Sequence, residues 1–158
     1  SIITATAFCR DGSATGMVTN PIQKATLYEA GFTYPGHTEF LASLASVNPG
    51  GPMMMLASDD LRVVPLTIHI PVKDVANSIS KQSIITAAQL LDASLKQFFG
   101  VSIPRIAIAG LNPHAGENNS IGREDQDIIQ PAITDLQRSG LKVTGPYPAD
   151  TLFHEALS

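Results

Sequence analysis

The second half of the chain alternates between two kinds of apolar spacing, and few folds can accommodate that alternation. Between residues 73 and 99 the spacing predicts one long helix, which Gly100 ends. The apolar residues of this stretch share one helical face: Ile84, Ile85, Ala88, Leu91, Leu95 and Phe98. RIAIAGL at 105–111 is a continuous apolar run typical of a buried strand, a helix is predicted over 123–138, and LKVTG predicts a further strand. Strands that alternate with helices indicate an α/β architecture.

The first half of the chain has the same mixed character. A short strand is predicted at 16–21 and a helix at 22–31, and Thr38 is predicted to cap the next helix. Apolar runs at 53–58 and 61–72 predict two strands that pair as a hairpin, although Pro65 favours an edge position for the second. With no linker or repeat between these segments, all 158 residues are predicted to form a single α/β domain.

Composition excludes several classes of function. Hydrophobic residues make up 44% of the chain and charged residues 15%, which favours a folded core over disorder. A net charge of −4 gives no basic surface for nucleic acid. No apolar run is long enough to cross a bilayer, and the single Cys9 cannot form an internal disulfide. We therefore expect a cytoplasmic protein whose partner is a small molecule.

Histidines lie where an α/β sheet usually binds its ligands, beyond the carboxyl ends of strands. His69 lies late in the predicted strand that ends at Pro71, and His114 follows RIAIAGL in the sequence NPHAGE. His37 follows the turn Pro35-Gly36 at the N-terminus of a predicted helix. Neutral imidazoles bind zinc and other divalent metals, so two of these histidines could supply part of one site. From spacing alone His69 is more readily a hydrogen-bonded structural residue, and His114 could equally be solvated in a surface loop.

Two acidic residues have a possible role beside these histidines. Glu117 in NPHAGE could orient the imidazole of His114. Asp150 in PYPADTLF, predicted to lie in a proline-broken loop, could act as a general base, although the residues alone favour a helix N-cap. The glycine-rich fingerprint of dinucleotide-binding folds and the Walker phosphate loop are both absent, so residue patterns alone lead no further than a metal site.

Three long motifs resemble the 4-hydroxythreonine-4-phosphate dehydrogenase family of pyridoxine biosynthesis. They are VTNPIQKATLYEAGFTYPGHTEF at 18–40, MMMLASDDLRVVPLTIHIPV at 53–72, and AGLNPHAGENNSIGREDQDIIQPAI with GLKVTGPYPADTLF after it. The resemblance implies the isocitrate/isopropylmalate dehydrogenase-like three-layer fold, incomplete in this chain, and a homodimer. It also implies oxidation of 4-phosphohydroxy-L-threonine at its C3 hydroxyl by NAD or NADP, then decarboxylation to 3-amino-2-oxopropyl phosphate.

The same resemblance implies roles for individual residues. His69 in TIHIP and His114 in NPHAGE match two of three histidine ligands of a divalent metal, which could be zinc, magnesium or cobalt. His37 and Thr38 in GHTEF match residues that contact the phosphorylated substrate, and Asp150 in PADT matches an acidic active-site residue. No residue of this chain is assigned to the nicotinamide cofactor.

Departures from the family pattern leave the completeness of the chain and the choice of substrate open. The glycine-rich amino-terminal motif and the later Y-H-D-Q-G motif, which carries the third histidine, are absent. The chain is therefore expected to be a fragment from the middle of a longer dehydrogenase, inactive alone and weak in binding metal. Asn20-Pro21-Ile22-Gln23-Lys24 differs from the usual Gly-Pro-Ile-Asn-Lys, so the substrate could instead be another phosphorylated hydroxy acid or a cis-dihydrodiol. The remaining alternative is an inactive proteolytic core.

Overall fold

The structure of the protein is a computed structural model. It describes residues 2–21, 23–29, 31–34, 36–45 and 51–156. Contacts divide the chain into two compact units, Ser1–Pro52 and Met53–Ser158.

The described part of the first unit is helical. Its helices are α1 (Ile2–Arg10), α2 (Lys24–Glu29) and α3 (His37–Ala45). α1 packs against α3, and the Arg10 guanidinium donates a hydrogen bond of 2.9 Å to the carbonyl of Leu44. The strand predicted at 16–21 is wrong, because the described residues of this unit offer no strand for it to pair with and Pro21 lacks an N–H. Residues 22 and 30 of the predicted second helix lie outside the described residues.

The second unit combines helices with two small sheets. Its elements are β1 (Leu56–Ala57), β2 (Arg62–Val63), α4 (Val75–Ser78), α5 (Lys81–Phe99), β3 (Arg105–Ala109), α6 (Gln130–Arg138), β4 (Lys142–Tyr147) and α7 (Ala149–Ala156). β1 and β2 form the predicted antiparallel hairpin, and β3 pairs with β4 in parallel. The predicted alternation of helices and strands in this half is therefore confirmed.

The helix predicted over 73–99 is interrupted near its start. A 3₁₀ turn at Val72–Asp74 leads into the short α4, and Ile79 is extended before α5 begins. Ser80 caps α5 reciprocally: its hydroxyl accepts a hydrogen bond from the N–H of Ser83, whose own hydroxyl accepts one from the N–H of Ser80. Such a capping box satisfies backbone donors that would otherwise continue the helix upstream, so α5 begins there. Gly100 ends it with a φ of 67°, as predicted.

The core of the second unit lies between the parallel strands and helices α5 and α6. Its buried side chains are Ile84, Ala88, Ile106, Ile129, Ala132, Ile133, Leu136 and Val143. They come from one face of each helix and from one face of the paired strands, which is the arrangement that the spacing of apolar residues predicts. The predicted face of the long helix is wrong at Phe98, which lies near the end of α5 and is 71% exposed. Leu136 is fully buried at the centre.

β4 contains an extra residue relative to β3. Ala107 pairs with Thr144, whereas Ala109 pairs with Tyr147, so the register shifts between them. Gly145 lies in this bulge with a φ of 124°, and a side chain there would overlap the carbonyl oxygen of Ile108. Pairing resumes beyond the bulge, where the N–H of Gly110 donates 2.7 Å to the carbonyl of Tyr147. Bulges of this kind redirect the end of a strand.

The helix predicted over 123–138 begins as a wider turn. Residues Asp125–Ile129 have π-helical spacing, and the N–H of Gln130 donates to the carbonyl of Asp125. Pro131 follows in the first turn of α6 and has no N–H to donate, which disfavours ordinary α-helical bonding through this segment. Among the described residues, none of the helices combines the length and apolar composition that a bilayer crossing requires.

Truncating Leu136 to alanine should destabilise the protein by about 2–5 kcal/mol, since it leaves a cavity in the core. Urea denaturation followed by circular dichroism measures the change in the free energy of unfolding. The matched control is Leu56→Ala, which removes the same atoms from a side chain that is 57% exposed and should cost under about 1 kcal/mol. Equal losses in the two variants would contradict the placement of the core.

Candidate functional site

The carboxyl ends of β3 and β4 bring two of the predicted site segments to one edge of the parallel pair. β3 leads into the segment Pro113–Asn119, which contains His114. β4 leads through Pro148 into α7, whose first turn contains Asp150. α7 packs against Pro113–Asn119. His114 and Asp150 therefore lie on segments that contact each other, at the edge where open α/β sheets bind ligands.

Asp150 lies in a helix rather than in a loop. The carbonyl of Pro148 accepts hydrogen bonds from the N–H groups of Thr151 and Leu152, at 3.3 and 3.1 Å. The predicted proline-broken loop is wrong because proline, which cannot continue a helix, is well suited to begin one. The N-cap reading of Asp150 is also wrong, since Asp150 is the second residue of α7 and its side chain is exposed.

The backbone around His114 is left-handed over several consecutive residues. His114, Ala115, Gly116, Glu117 and Asn118 have φ values between 43° and 81°. Each non-glycine residue in this conformation costs about 1–2 kcal/mol, so other contacts must offset several kcal/mol. Backbone of this kind is concentrated at functional sites. His114 is exposed on this turn, whereas Gly116 is buried.

Glu117 does not orient His114. Its carboxylate accepts a 3.5 Å hydrogen bond from the hydroxyl of Ser120, and no hydrogen bond joins it to the imidazole among the described residues. The left-handed backbone accounts for this, because side chains on such a turn do not follow the spacing of a right-handed helix. The expectation drawn from their closeness in sequence is therefore not met.

The carboxylate of Asp125 holds the turn between β3 and His114. It is 2% exposed and accepts hydrogen bonds from the N–H of Leu111 at 2.8 Å, the N–H of Asn112 at 3.1 Å and the amide of Asn112 at 2.9 Å. A Cβ atom on Gly110 would lie 2.8 Å from the same carboxylate, so only glycine fits there without displacement. Sequence reasoning missed Asp125, because an acidic residue near the start of a helix is ordinarily solvated.

A second carboxylate reaches Asn112 from the same stretch of chain. Glu124 accepts a 2.8 Å hydrogen bond from the Asn112 amide, and this bond lowers the pKa of the Glu124 carboxyl. A Cβ atom on Gly122 would overlap the Asn112 side chain, at 2.5 Å from its amide nitrogen. Asn112 is therefore enclosed by the segment that leads from the left-handed turn to α6.

His69 does not lie in a strand. β2 ends at Val63, and His69 occupies a bend with a φ of 58° and an exposed side chain. The predicted strand over 61–72 is wrong beyond Val63, because Pro65 and Pro71 remove two N–H groups that a sheet would need. The apolar neighbours Ile68 and Ile70 are 39% and 37% exposed, so their alternation with His69 does not reflect a buried strand face.

The first unit carries the two residues expected to contact a phosphorylated substrate. His37 and Thr38 are the first two residues of α3, so their predicted place at a helix N-terminus is confirmed, but the predicted N-cap is wrong because Thr38 lies inside the helix. The Nε2 atom of His37 is buried without a hydrogen-bond partner among the described residues, whereas Thr38 is exposed. Beside them is a cluster of aromatic rings with centroids 5.0–5.5 Å apart, formed by Phe32, Tyr34 and Phe40.

Comparison with known proteins identifies the family. All 158 residues match the family model described as pyridoxal phosphate biosynthetic protein PdxA. The chain belongs to this family. The 4-hydroxythreonine-4-phosphate dehydrogenase of Bradyrhizobium diazoefficiens is 49% identical over 158 residues, which cover 99% of this chain and 46% of that protein. The enzyme of the same name from Zymomonas mobilis is 49% identical, with 93% of this chain and 44% of that protein covered.

Solved structures support the same assignment. The 4-hydroxythreonine-4-phosphate dehydrogenase from Klebsiella pneumoniae matches with a TM-score of 0.89 and 38% identity, covering 98% of this chain and 46% of that one. A terephthalate 1,2-cis-dihydrodiol dehydrogenase from Burkholderia xenovorans matches with a TM-score of 0.73 and 26% identity, covering 98% and 49%. The chain thus spans about half the length of its PdxA-family relatives.

The histidines of this PdxA-family chain are suitable metal donors. The imidazoles of His69 and His114 are exposed, and neither makes a hydrogen bond within the described ranges. Both therefore keep a lone pair available to a divalent ion. In the part of the chain that the structure describes, no three His, Cys, Asp or Glu side chains gather where they could hold a metal ion together.

The Glu124→Gln substitution should destabilise the protein at neutral pH and lose its effect in acid. The pKa of Glu124 is lowered in the folded state, so its contribution to stability is present above the ordinary carboxyl pKa and disappears as the pH falls through the folded value. Urea denaturation of both proteins between pH 7 and pH 3, about the range of carboxyl titration, measures the difference.

Asp60→Asn is the control for this experiment. Asp60 is exposed, and its carboxylate makes no hydrogen bond or ion pair among the described residues. Its substitution should change stability little at either pH. A difference between wild type and Glu124→Gln that stays constant with pH would contradict the role assigned to the Asn112 contact.

Proposed function

We propose that the protein containing this chain oxidises 4-phosphohydroxy-L-threonine at its C3 hydroxyl, with NAD or NADP as hydride acceptor and a divalent metal as cofactor. The β-keto acid formed would then lose carbon dioxide to give 3-amino-2-oxopropyl phosphate. The fold would be the isocitrate/isopropylmalate dehydrogenase-like one, of which this chain supplies part. Support comes from membership of the PdxA family and from the names of relatives that are 46–49% identical.

One structural observation carries the proposal: the segments with His114 and Asp150 follow two paired parallel strands and contact each other. In a metal-assisted oxidation the bound metal and a proton acceptor must both reach the same hydroxyl, so a ligand of that metal and the proton acceptor must lie near each other. The contact between the two segments supports this arrangement, because both segments leave the same pair of strands.

Within this proposal each residue has a separate task. His69 and His114 would be two metal ligands, with further ligands from groups beyond the described residues. The exposed carboxylate of Asp150 would accept the proton of the C3 hydroxyl. When bound, the metal would polarise that hydroxyl and the nicotinamide would accept the hydride.

His37 and Thr38 would bind the phosphate group of the substrate. Both lie in the first turn of α3, where free backbone N–H groups favour an anion. The buried and unpartnered Nε2 of His37 would gain an acceptor from a phosphate oxygen, which removes the penalty of an unsatisfied polar atom. The Thr38 hydroxyl is exposed and free to donate to the same group.

The proposal includes a cytoplasmic homodimer. Apolar side chains are exposed around His69, with Ile68 and Ile70 more than a third exposed and Val72 89% exposed. Exposed apolar groups close together favour association with another surface. Analytical ultracentrifugation over a range of concentrations tests the dimer, and a monomer at every concentration would contradict it.

Substrate choice is tested by following NAD and NADP reduction. The assay uses the chain and any longer natural polypeptide that contains it, with 4-phosphohydroxy-L-threonine, threonate 4-phosphate and an aromatic cis-dihydrodiol as substrates. The cis-dihydrodiol is included because one structural relative bears that name. Turnover of the first substrate above the others supports the proposal, and preference for the dihydrodiol would replace it with the alternative.

Replacing either His69 or His114 with alanine should weaken zinc binding by more than about tenfold, since loss of a ligand exceeds the loss of an outer contact. Isothermal titration calorimetry measures the affinity. We expect the isolated chain to bind zinc weakly even before substitution, because two imidazoles cannot replace three ligands. His154→Ala, which alters an exposed histidine of α7, is the control. Tight stoichiometric binding that survives the His69 and His114 substitutions would contradict the ligand assignment.

Asp150→Asn should lower kcat by about 10²–10⁴-fold, the usual contribution of a general base, with little change in zinc affinity. The steady-state rate of NAD reduction measures it in a polypeptide that turns over the substrate. The matched control is Asp127→Asn, the same chemical change on an exposed carboxylate that pairs with Arg123 at 3.0 Å. Loss of zinc binding in Asp150→Asn would instead indicate that Asp150 is itself a ligand.

A further inference from the structure

We propose that Asp125 is a positioning residue for His114, holding the backbone from which the imidazole reaches the metal. The inference rests on the proposed role of His114 as a ligand. Asp125 itself is buried and does not touch the site, so it would act only through the conformation of residues 111–118.

The charge of Asp125 depends on the His114 loop for its stability. No cation pairs with this carboxylate among the described residues, and its hydrogen bonds come from Leu111 and Asn112 alone. A buried carboxylate without such donors is strongly unfavourable. Leu111 and Asn112 can offer their N–H groups together only when the chain turns as it does before Pro113. The carboxylate and this loop conformation therefore require each other.

The segment that begins with Asp125 also packs against the left-handed turn itself. A Cβ atom on Gly116, in the middle of that turn, would lie 3.5 Å from one carboxylate oxygen of Asp125, and one on Gly110 would lie 2.8 Å from the other. The turn is closed at its start by the N–H of Ala115, which donates 3.0 Å to the carbonyl of Asn112. Asp125 thus holds the entry to the turn through its hydrogen bonds and lies beside the buried Gly116, with His114 between them.

On its other side Asp125 is attached to the core. Its carbonyl accepts from the N–H of Gln130 across the π-turn, and Ile129 at the end of that turn is 3% exposed. α6 follows directly, with Ala132, Ile133 and Leu136 all buried. The buried side of α6 therefore connects through the side chain of Asp125 to the segment that carries His114. π-turns of this kind are frequent at functional sites.

Asp125→Asn tests the positioning role, because it keeps the shape of the side chain and replaces one acceptor oxygen with an NH₂ group. Both oxygens of Asp125 accept from N–H groups, so the NH₂ group must face a donor and one hydrogen bond is lost. We expect zinc affinity to fall about 10–100-fold, the range for groups that orient a metal ligand. Isothermal titration calorimetry with zinc gives the affinity, and the visible spectrum of bound Co²⁺ reports the geometry. Asp127→Asn makes the same change two residues away and should leave both unchanged.

The Leu136→Ala variant distinguishes a positioning role of Asp125 from a general effect of lost stability. It loses stability in the core without touching the loop. It should bind zinc like wild type under conditions in which both are folded, whereas Asp125→Asn should not. Folded Asp125→Asn that binds zinc as tightly as Asp127→Asn would overturn the inference. If Asp125→Asn does not fold, Asn112→Ala decides: it removes one donor to the carboxylate, so weaker zinc binding supports the inference and unchanged binding overturns it.

The two proposals fail in different ways. If His114→Ala binds zinc like wild type, then His114 is not a ligand, and both the proposed function and the positioning role are overturned. If His114→Ala loses affinity while Asp125→Asn keeps it, only the positioning role fails.

Discussion

The parallel pairing of β3 with β4 is the constraint on which the described second unit depends. Their inward residues Ile106 and Val143 are buried against α5 and α6, so the two strands cannot shift without disturbing the core. Parallel strands end on the same side, and the bulge at Gly145 redirects β4 just before its end. The segments that carry His114 and Asp150 therefore begin at points fixed by packing rather than by their own loop sequences.

Beyond β3, two individually unfavourable features stabilise each other. A left-handed turn with mostly non-glycine residues is disfavoured, and so is a buried carboxylate without a cation. Leu111 and Asn112, which lead into the turn, direct their N–H groups toward Asp125, and Asp125 offers the acceptors that keep them aligned. Glu124 adds an acceptor for the Asn112 amide on the outer side. The conformation around His114 is thus determined by polar contacts, although the loop contains almost no buried apolar surface.

Periodicity predicted the elements that bury an apolar face, namely α5, β3, α6 and β4, because burial is what produces periodicity. Periodicity predicted the wrong element where interactions other than apolar burial determine the backbone conformation. Alternation around His69 suggested a strand, yet those apolar residues are exposed and two prolines prevent pairing. Pro148 is typical of a break in the chain, yet it directly precedes α7, and its carbonyl accepts hydrogen bonds from the N–H groups of Thr151 and Leu152. Asp125 could not be found from sequence, since its donors are backbone groups whose direction depends on the fold. Residue types and motif resemblance, not spacing, led to His69 and Asp150.

The choice of donors also fits the charge of the expected substrate. With a net charge of −4, the chain as a whole gives an anionic phosphate no long-range attraction, so local groups must bind it. Neutral imidazoles such as His69 and His114 would leave the full positive charge of a divalent ion available to an anion, whereas carboxylate ligands would cancel it. Two of the negative charges that follow His114 in the chain, Glu124 and Asp125, are directed toward N–H groups of the loop, whereas the exposed Glu117 accepts a hydrogen bond from the hydroxyl of Ser120. Partnering those carboxylates within the loop keeps them from competing for the metal or opposing the substrate.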